Sequence, residues 1–218
     1  RSYGKISGVD VDKYDFNFLF VCNFFIYRLQ RTASLSSYYT FGRYEEIAEL
    51  KTEDVFREEE GFILNFKKGK SYQFGECNIG VLSNLPRLKF TPARIFSLYL
   101  DKLSIIHSNS HSPSDFLFPS LRKSRSVLHS LNKPVSYSIL LKMFKFCVKE
   151  VGLPVGLSKV GLHSLRRGGV THAVRAGAPH SIVQKCMRVK TESMVGYYVT
   201  LSSTLPADFL ALHDPEGI

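Results

Sequence analysis

The 218-residue chain is 44% hydrophobic with 17 Phe and 11 Tyr, enough apolar side chain for a globular protein of one large domain or two small ones. Its four cysteines, Cys22, Cys77, Cys147 and Cys186, make no C-x-x-C pair and have no His at ligand spacing. That argues against a disulfide framework and a zinc site, and fits a reduced intracellular compartment. The net charge is +10, and from Gly61 to Lys190 there are 21 Lys and Arg against only Glu76, Asp101, Asp115 and Glu150, a net +17 that points to nucleic acid as partner.

The chain starts at Arg1 without the layout of a signal peptide, and is expected to be part of something longer. The most apolar window, Phe16 to Tyr27, contains Asn17 and Asn23 and is too short and polar to span a bilayer, so no membrane partner is expected. Phe16, Phe20, Phe24 and Tyr27 recur at helical spacing and predict a helix over 13–31. Ser34 to Thr40 reads as a polar break. A second helix is predicted from Gly42 or Arg43 to Leu50, with Ile47 and Leu50 inward and Arg43 in its first turn.

Between Phe62 and Phe74, two apolar segments flank Lys67-Lys68-Gly69-Lys70 and predict a β-hairpin with a basic tip. A third extended piece lies around Ile79 to Leu82. Thr91-Pro92 is an N-cap and first-turn pair that opens a helix to about Leu103, with Ile95, Tyr99 and Leu103 as its buried stripe. Ser104 to Ser114 reads as a loop. Ser120 to Lys133 is a basic connection carrying Arg122, Lys123, Arg125 and Lys133; it either follows a phosphate backbone or is mobile.

Ser136 caps an amphipathic helix to Val151, with Leu140, Met143, Phe144, Cys147, Val148 and Val151 inward. Further helices are predicted over His163 to Ala176 and His180 to Met187, with a helical turn at Glu192 to Tyr198 and a last helix at Leu205 to His213. No internal repeat or second domain boundary stands out. The reading is α+β, mainly α, one domain over 1–218 with a small antiparallel sheet.

His163 and Arg166 lie three apart, on one face of a helix, so one can handle a proton while the other holds a phosphate oxygen. Cleaving a phosphodiester without metal needs a nucleophile, cations on the non-bridging oxygens and an acid for the leaving 5′ oxygen. The chain offers each type. Arg43 and Arg166 can clamp the phosphate, Lys68 can protonate the leaving oxygen, His163 can assist proton transfer and Tyr198 can attack. Lys67 and Lys70 compete with Lys68, Arg167 with Arg166, and Tyr197 with Tyr198. Lys67, Lys70, Arg167, Arg188 and Lys190 are candidate DNA contacts.

In Gly42-Arg43-Tyr44-Glu45-Glu46-Ile47-Ala48-Glu49-Leu50, the Lys68-Gly69 hairpin, His163-Ser164-Leu165-Arg166 and Tyr198, the chain resembles the catalytic domain of the tyrosine recombinase (phage integrase) superfamily. Arg-Arg-Gly-Gly after Leu165 and the later Ala-Gly-x-Pro are similar to recombinases of eukaryotic mobile elements of the DIRS-like and Crypton-like groups. The resemblance implies a 3′-phosphotyrosyl intermediate on Tyr198 and strand rejoining with no metal, ATP or other cofactor. It further implies double-stranded DNA as partner, a dimer or tetramer on that DNA, and an N-terminal core-binding domain outside this chain. The location would be intracellular with DNA, in the nucleus if the source is eukaryotic.

One position departs from the pattern. The family usually places His or Trp nine residues before the nucleophile, where this chain has Val189, between Arg188 and Lys190. Val cannot donate a hydrogen bond, so a neighbouring cation substitutes, the site is assembled differently, or activity is impaired. Two rival readings are a type IB topoisomerase-like enzyme and a catalytically silent, domesticated DNA-binding protein.

Overall fold

Helix α1 spans Phe16–Tyr39 and runs straight through the polar stretch expected to break it. The reason is local. Thr40 Oγ1 donates to Ser36 O at 2.6 Å and Ser37 Oγ to Gly42 O at 2.7 Å, so these hydroxyls are partnered inside the protein and the end of the helix can be buried. The computed structural model describes residues 16–67, 78–84, 91–106, 115–124 and 127–200. Helix α1 is its central element, packed against α2 (Tyr44–Ala48), α3 (Pro92–Ile106), α4 (Tyr137–Glu150) and α5 (His163–Arg175).

A three-stranded antiparallel sheet follows α2, in the order β1 (Val55–Glu58), β2 (Gly61–Asn65) and β3 (Ile79–Ser83). Strand β2 pairs with β3 from Gly61↔Ser83 to Asn65↔Ile79. The expected basic hairpin therefore closes on the third extended piece rather than on residues before Phe74. Its tip, with Lys68, Gly69 and Lys70, lies outside the described residues. Strand β1 was not foreseen, because an edge strand reading Val-Phe-Arg-Glu, exposed over most of its length, has no buried face to mark it.

Arg94 N donates to Thr91 Oγ1 at 3.1 Å, so α3 begins at the predicted cap. Its buried stripe is Ala93, Phe96, Tyr99 and Leu103: Tyr99 and Leu103 are buried as expected, while Ile95 is only half-buried and Phe96 takes its place. The fully buried Tyr99 keeps its phenol partnered by donating to Leu117 O at 2.6 Å. Burying side chains such as Phe96 and Tyr99 contributes about 1.5–3 kcal/mol each.

The basic connection at 120–133 forms regular secondary structure. It is a two-stranded hairpin of β4 (Pro119–Ser124) and β5 (Val127–Pro134), with Arg122 opposite His129. Main-chain pairing builds it, helped by Ser120 Oγ donating to Pro134 O at 2.7 Å and by Leu121 packing against the core, without the alternation of apolar side chains that a sequence reading relies on. Helix α4 starts where predicted, Ile139 N donating to Ser136 Oγ at 3.4 Å, but Val151 falls past its end and is 72% exposed rather than inward.

Two apolar clusters result. The larger joins α1, the three-stranded sheet, α3 and α4 through residues such as Leu29, Leu64, Leu82 and Phe96. The smaller is Val170, Val183, Met187, Val195 and Tyr198, from α5, α6 (His180–Met187) and α7 (Ser193–Thr200). At Gly169 a Cβ would lie 2.0 Å from Tyr38 O, so only glycine lets α5 seat this closely on the end of α1. Gly177 takes φ +89 just past α5, the left-handed conformation in which glycine ends a helix. The predicted helix at Leu205 to His213 lies outside the described residues, among which no helix is long and apolar enough to cross a membrane.

Candidate active site

Arg43 is the residue before the first turn of α2, in extended conformation, and its own backbone N donates to Glu46 Oε2 at 2.8 Å. Its guanidinium Nη1 meets Glu46 Oε1 at the same distance and keeps 22% of the side chain exposed. Glu46 is buried and takes two more cations: Arg188 Nη2 at 3.0 Å from Oε2, and Arg166 Nη1 at 3.7 Å. Burial by itself would raise the Glu46 pKa. The charges of Arg188 and Arg43, with the hydrogen bonds they donate, outweigh it and hold the carboxyl below its ordinary value. One carboxylate against three guanidinium groups leaves the cluster cationic, which suits an anionic ligand.

Arg166 is fully buried at 0% exposure on the second turn of α5. Its Nη1 donates to Phe41 O and its Nη2 to Met187 O at 2.6 Å, so the helix that carries it is tied both to the end of α1 and to the end of α6. Its Nε is buried without a hydrogen-bond partner among the described residues. Burial, followed by the charge of Arg43, pulls its pKa down to about 10, still cationic at neutral pH.

Tyr198, on α7, packs inside the smaller cluster at 5% exposure, whereas Tyr197 is 58% exposed. The two rings meet edge to face, so one helical residue of phase separates an inward from an outward phenol. Tyr198 Oη lies 2.7 Å from His163 Nε2, and the Arg166 guanidinium sits 5.9 Å from the centre of the Tyr198 ring. Burial and then the charges of Arg166, Arg167 and Arg43 hold the His163 pKa below its ordinary value, so at neutral pH the ring is neutral. In the tautomer protonated on Nδ1, its Nε2 accepts from the phenol.

The structure thus brings together Arg43, His163, Arg166 and Tyr198. Lys68 and Lys70 lie outside the described residues. Lys67 is described, and it is 2.6 Å from Asp54 Oδ1 and 2.9 Å from Glu53 Oε1, whose hydrogen bonds raise its pKa. Its charge is thereby compensated by carboxylates. Arg167 is half-buried with an unpartnered Nε, and Lys190 is exposed. Arg188, expected at the DNA surface, points inward instead: its side chain is only 3% exposed. Val189 packs half-buried against the smaller apolar cluster.

Two features escaped the sequence reading. Glu46 stood there only as one residue of the segment from Gly42 to Leu50; the signal for more was a Glu at the third helical position, where a carboxylate can reach back to the N-cap backbone N–H. The inward turn of Arg188 had no local signal. Among the described residues no group of three His, Cys, Asp or Glu is placed to hold a metal ion.

A mainly helical body with small antiparallel sheets matches the fold of tyrosine recombinase catalytic domains. The chain is similar to the XerH site-specific recombinase bound to difH substrate in a pre-cleavage complex, with TM-score 0.56 and 17% identity over 86% of this chain and 45% of that one. It is similar to XerH on palindromic difH substrate in a post-cleavage complex, with TM-score 0.62 and 17% identity over 96% and 54%. XerA recombinase gives TM-score 0.54 and 19% identity over 97% and 64%. The chain therefore spans less than two thirds of the length of each of these recombinases. The model of the phage integrase family matches residues 27–204, and the chain belongs to that family. No curated protein matches the chain.

Proposed function

We propose that the chain is the catalytic domain of a site-specific DNA recombinase that cuts and rejoins strands through a covalent bond to Tyr198. The observation that carries this reading is the Tyr198 Oη to His163 Nε2 distance of 2.7 Å, set beside the Arg43, Glu46 and Arg166 cluster. Tyr198 Oη attacks the phosphorus and its proton passes to His163 Nε2, which is neutral and able to take it. The bond from phosphorus to the 5′ oxygen breaks, and that oxygen leaves as a hydroxyl with a proton from Lys68, in the chain segment between β2 and β3. The 3′ phosphate stays on Tyr198 as a diester, so the bond energy is kept and a 5′ hydroxyl can reverse the step without ATP.

Arg43, partly exposed, and the unpartnered Nε of Arg166 are the donors for the non-bridging oxygens, whose charge grows in the transition state. Double-stranded DNA is the partner, held mainly through phosphates, and binding weakens steeply as salt rises. Assembly as a dimer or tetramer on DNA, and a source in a mobile element, extend the same reading.

A nicked duplex near the scissile phosphate traps the covalent intermediate. The wild-type chain is expected to form an adduct that Tyr198→Phe abolishes and Tyr197→Phe retains. Tyr198→Phe removes only the phenol oxygen, so binding and melting temperature are expected to stay close to wild type. A wild type that binds its DNA and yields no adduct would establish the silent DNA-binding reading, which the donor-free Val189 favours. Relaxation of supercoiled plasmid by a monomer would instead mark the topoisomerase-like one.

A further inference from the structure

Arg188 combines two features that are each unfavourable. Its backbone has φ 56 and ψ 51, the left-handed region that favours glycine, and its charge is buried. The guanidinium compensates with partners on several elements. It donates to Glu46 Oε2 at 3.0 Å on α2, to Thr40 O and Phe41 O at 3.3 Å after α1, and to Cys186 O at 2.9 Å on α6. Its Cζ lies 4.3 Å from the centre of the Phe66 ring, close enough for a cation–π contact. Phe66 directly follows β2 and stands two residues before Lys68. Arg188 itself stands ten residues before Tyr198.

These contacts converge on the elements that carry the candidate site. Glu46 accepts Arg188 on Oε2 and Arg43 Nη1 on Oε1, so the orientation of the carboxylate is shared between the two arginines. We propose that Arg188 is a positioning residue: it fixes the Glu46 carboxylate that aims Arg43, and clamps Phe66 at the base of the connection that carries Lys68. This rests on the strand-cleaving function proposed above. It also gives the cation beside Val189 a role different from direct phosphate contact.

The test uses the full chain and nicked duplexes of randomised sequence, with adduct formation measured at saturating DNA and binding measured separately. Arg188→Gly suits the left-handed backbone and removes the clamp. Adduct formation is expected to fall on the order of 10²-fold, the scale on which small displacements act, while binding stays within a few-fold. The acid limb of the rate should also move to higher pH, because Glu46 loses a cation and protonates sooner. The charges then left facing Glu46 are Arg43 and Arg166, and it borders a small pocket with Glu49, Lys51, Glu53, Asp54 and Lys67.

Arg188→Lys keeps the charge without the fork, and should recover part of the rate and most of the pH profile. An unchanged rate in Arg188→Gly overturns the proposal, as does a loss of rate that binding matches in full. If Arg188→Gly does not fold, Arg188→Lys decides: slower adduct formation with preserved binding supports positioning, and a wild-type rate overturns it. If the wild type yields no adduct with any duplex, the strand-cleaving reading fails by itself. Carboxyl NMR titration of Glu46 then decides for Arg188, since a pKa that does not rise in the folded variant overturns it.

Discussion

The two apolar clusters of this protein are built on different physics. The larger, between α1, the three-stranded sheet, α3 and α4, is an ordinary core: Leu64, Phe96 and Leu117 are fully buried, and its buried phenol at Tyr99 has a main-chain partner. Among the described residues the smaller holds five buried apolar residues, one of them the candidate nucleophile, and is flanked by three arginines around one glutamate. Apolar burial stabilises in proportion to area, so the small cluster relies on hydrogen bonds and charge pairs to place its helices. Arg166 alone ties α5 to Phe41 and Met187. The consequence is that change in the large core should alter stability, and change around the small one should alter chemistry.

The largest expected effect tests that division directly. Phe96→Ala should cost about 3–5 kcal/mol of unfolding free energy while the folded fraction forms adduct within a few-fold of wild type. Glu46→Gln should cost about 3 kcal/mol, because a buried charge cluster loses its only anion, and its folded fraction should be strongly impaired. Chemical denaturation paired with single-turnover adduct formation measures both; a Glu46→Gln protein with wild-type rate would erase the distinction.

A smaller effect is expected at the seam. In Gly169→Ala the new Cβ, 2.0 Å from Tyr38 O, must push α5 away from α1. Overpacking of this kind costs about 1–3 kcal/mol, and because α5 carries both His163 and Arg166 the rate should fall further than the melting temperature alone accounts for. Equal losses in stability and rate would place the seam with the ordinary core.

The smallest effect concerns charge. Arg167 is one of three arginines that disfavour the imidazolium of His163. Removing it in Arg167→Gln raises the His163 pKa toward its ordinary value, so the acid limb of adduct formation should move to higher pH while the plateau holds. A downward shift would contradict the sign of this coupling.

Local features of the fold were legible in the sequence because they have local causes. Thr91 and Ser136 cap helices by bonding backbone N–H groups three residues on, and α6 spans His180–Met187 as expected, directly after Pro179. Strands β1, β4 and β5 were not legible, since a strand without regular apolar alternation is defined by its partner's backbone rather than by its own side chains. The assignment of Ser34 to Thr40 as a break failed because composition cannot tell a hydroxyl bonded inside a helix from one in a loop.

The sequence by itself determined the order of the candidate residues, the helical face shared by His163 and Arg166, and the basic bias of the chain. Which of two adjacent phenols lies inside was a matter of register, and the structure places Tyr198 in and Tyr197 out. Only the tertiary structure decided where the cations point. Lys67 turns to Glu53 and Asp54, and Arg188 turns to a glutamate 142 positions earlier in the chain. A long charged side chain settles where partners offset the cost of burying it, and those partners come from elements that only folding brings together.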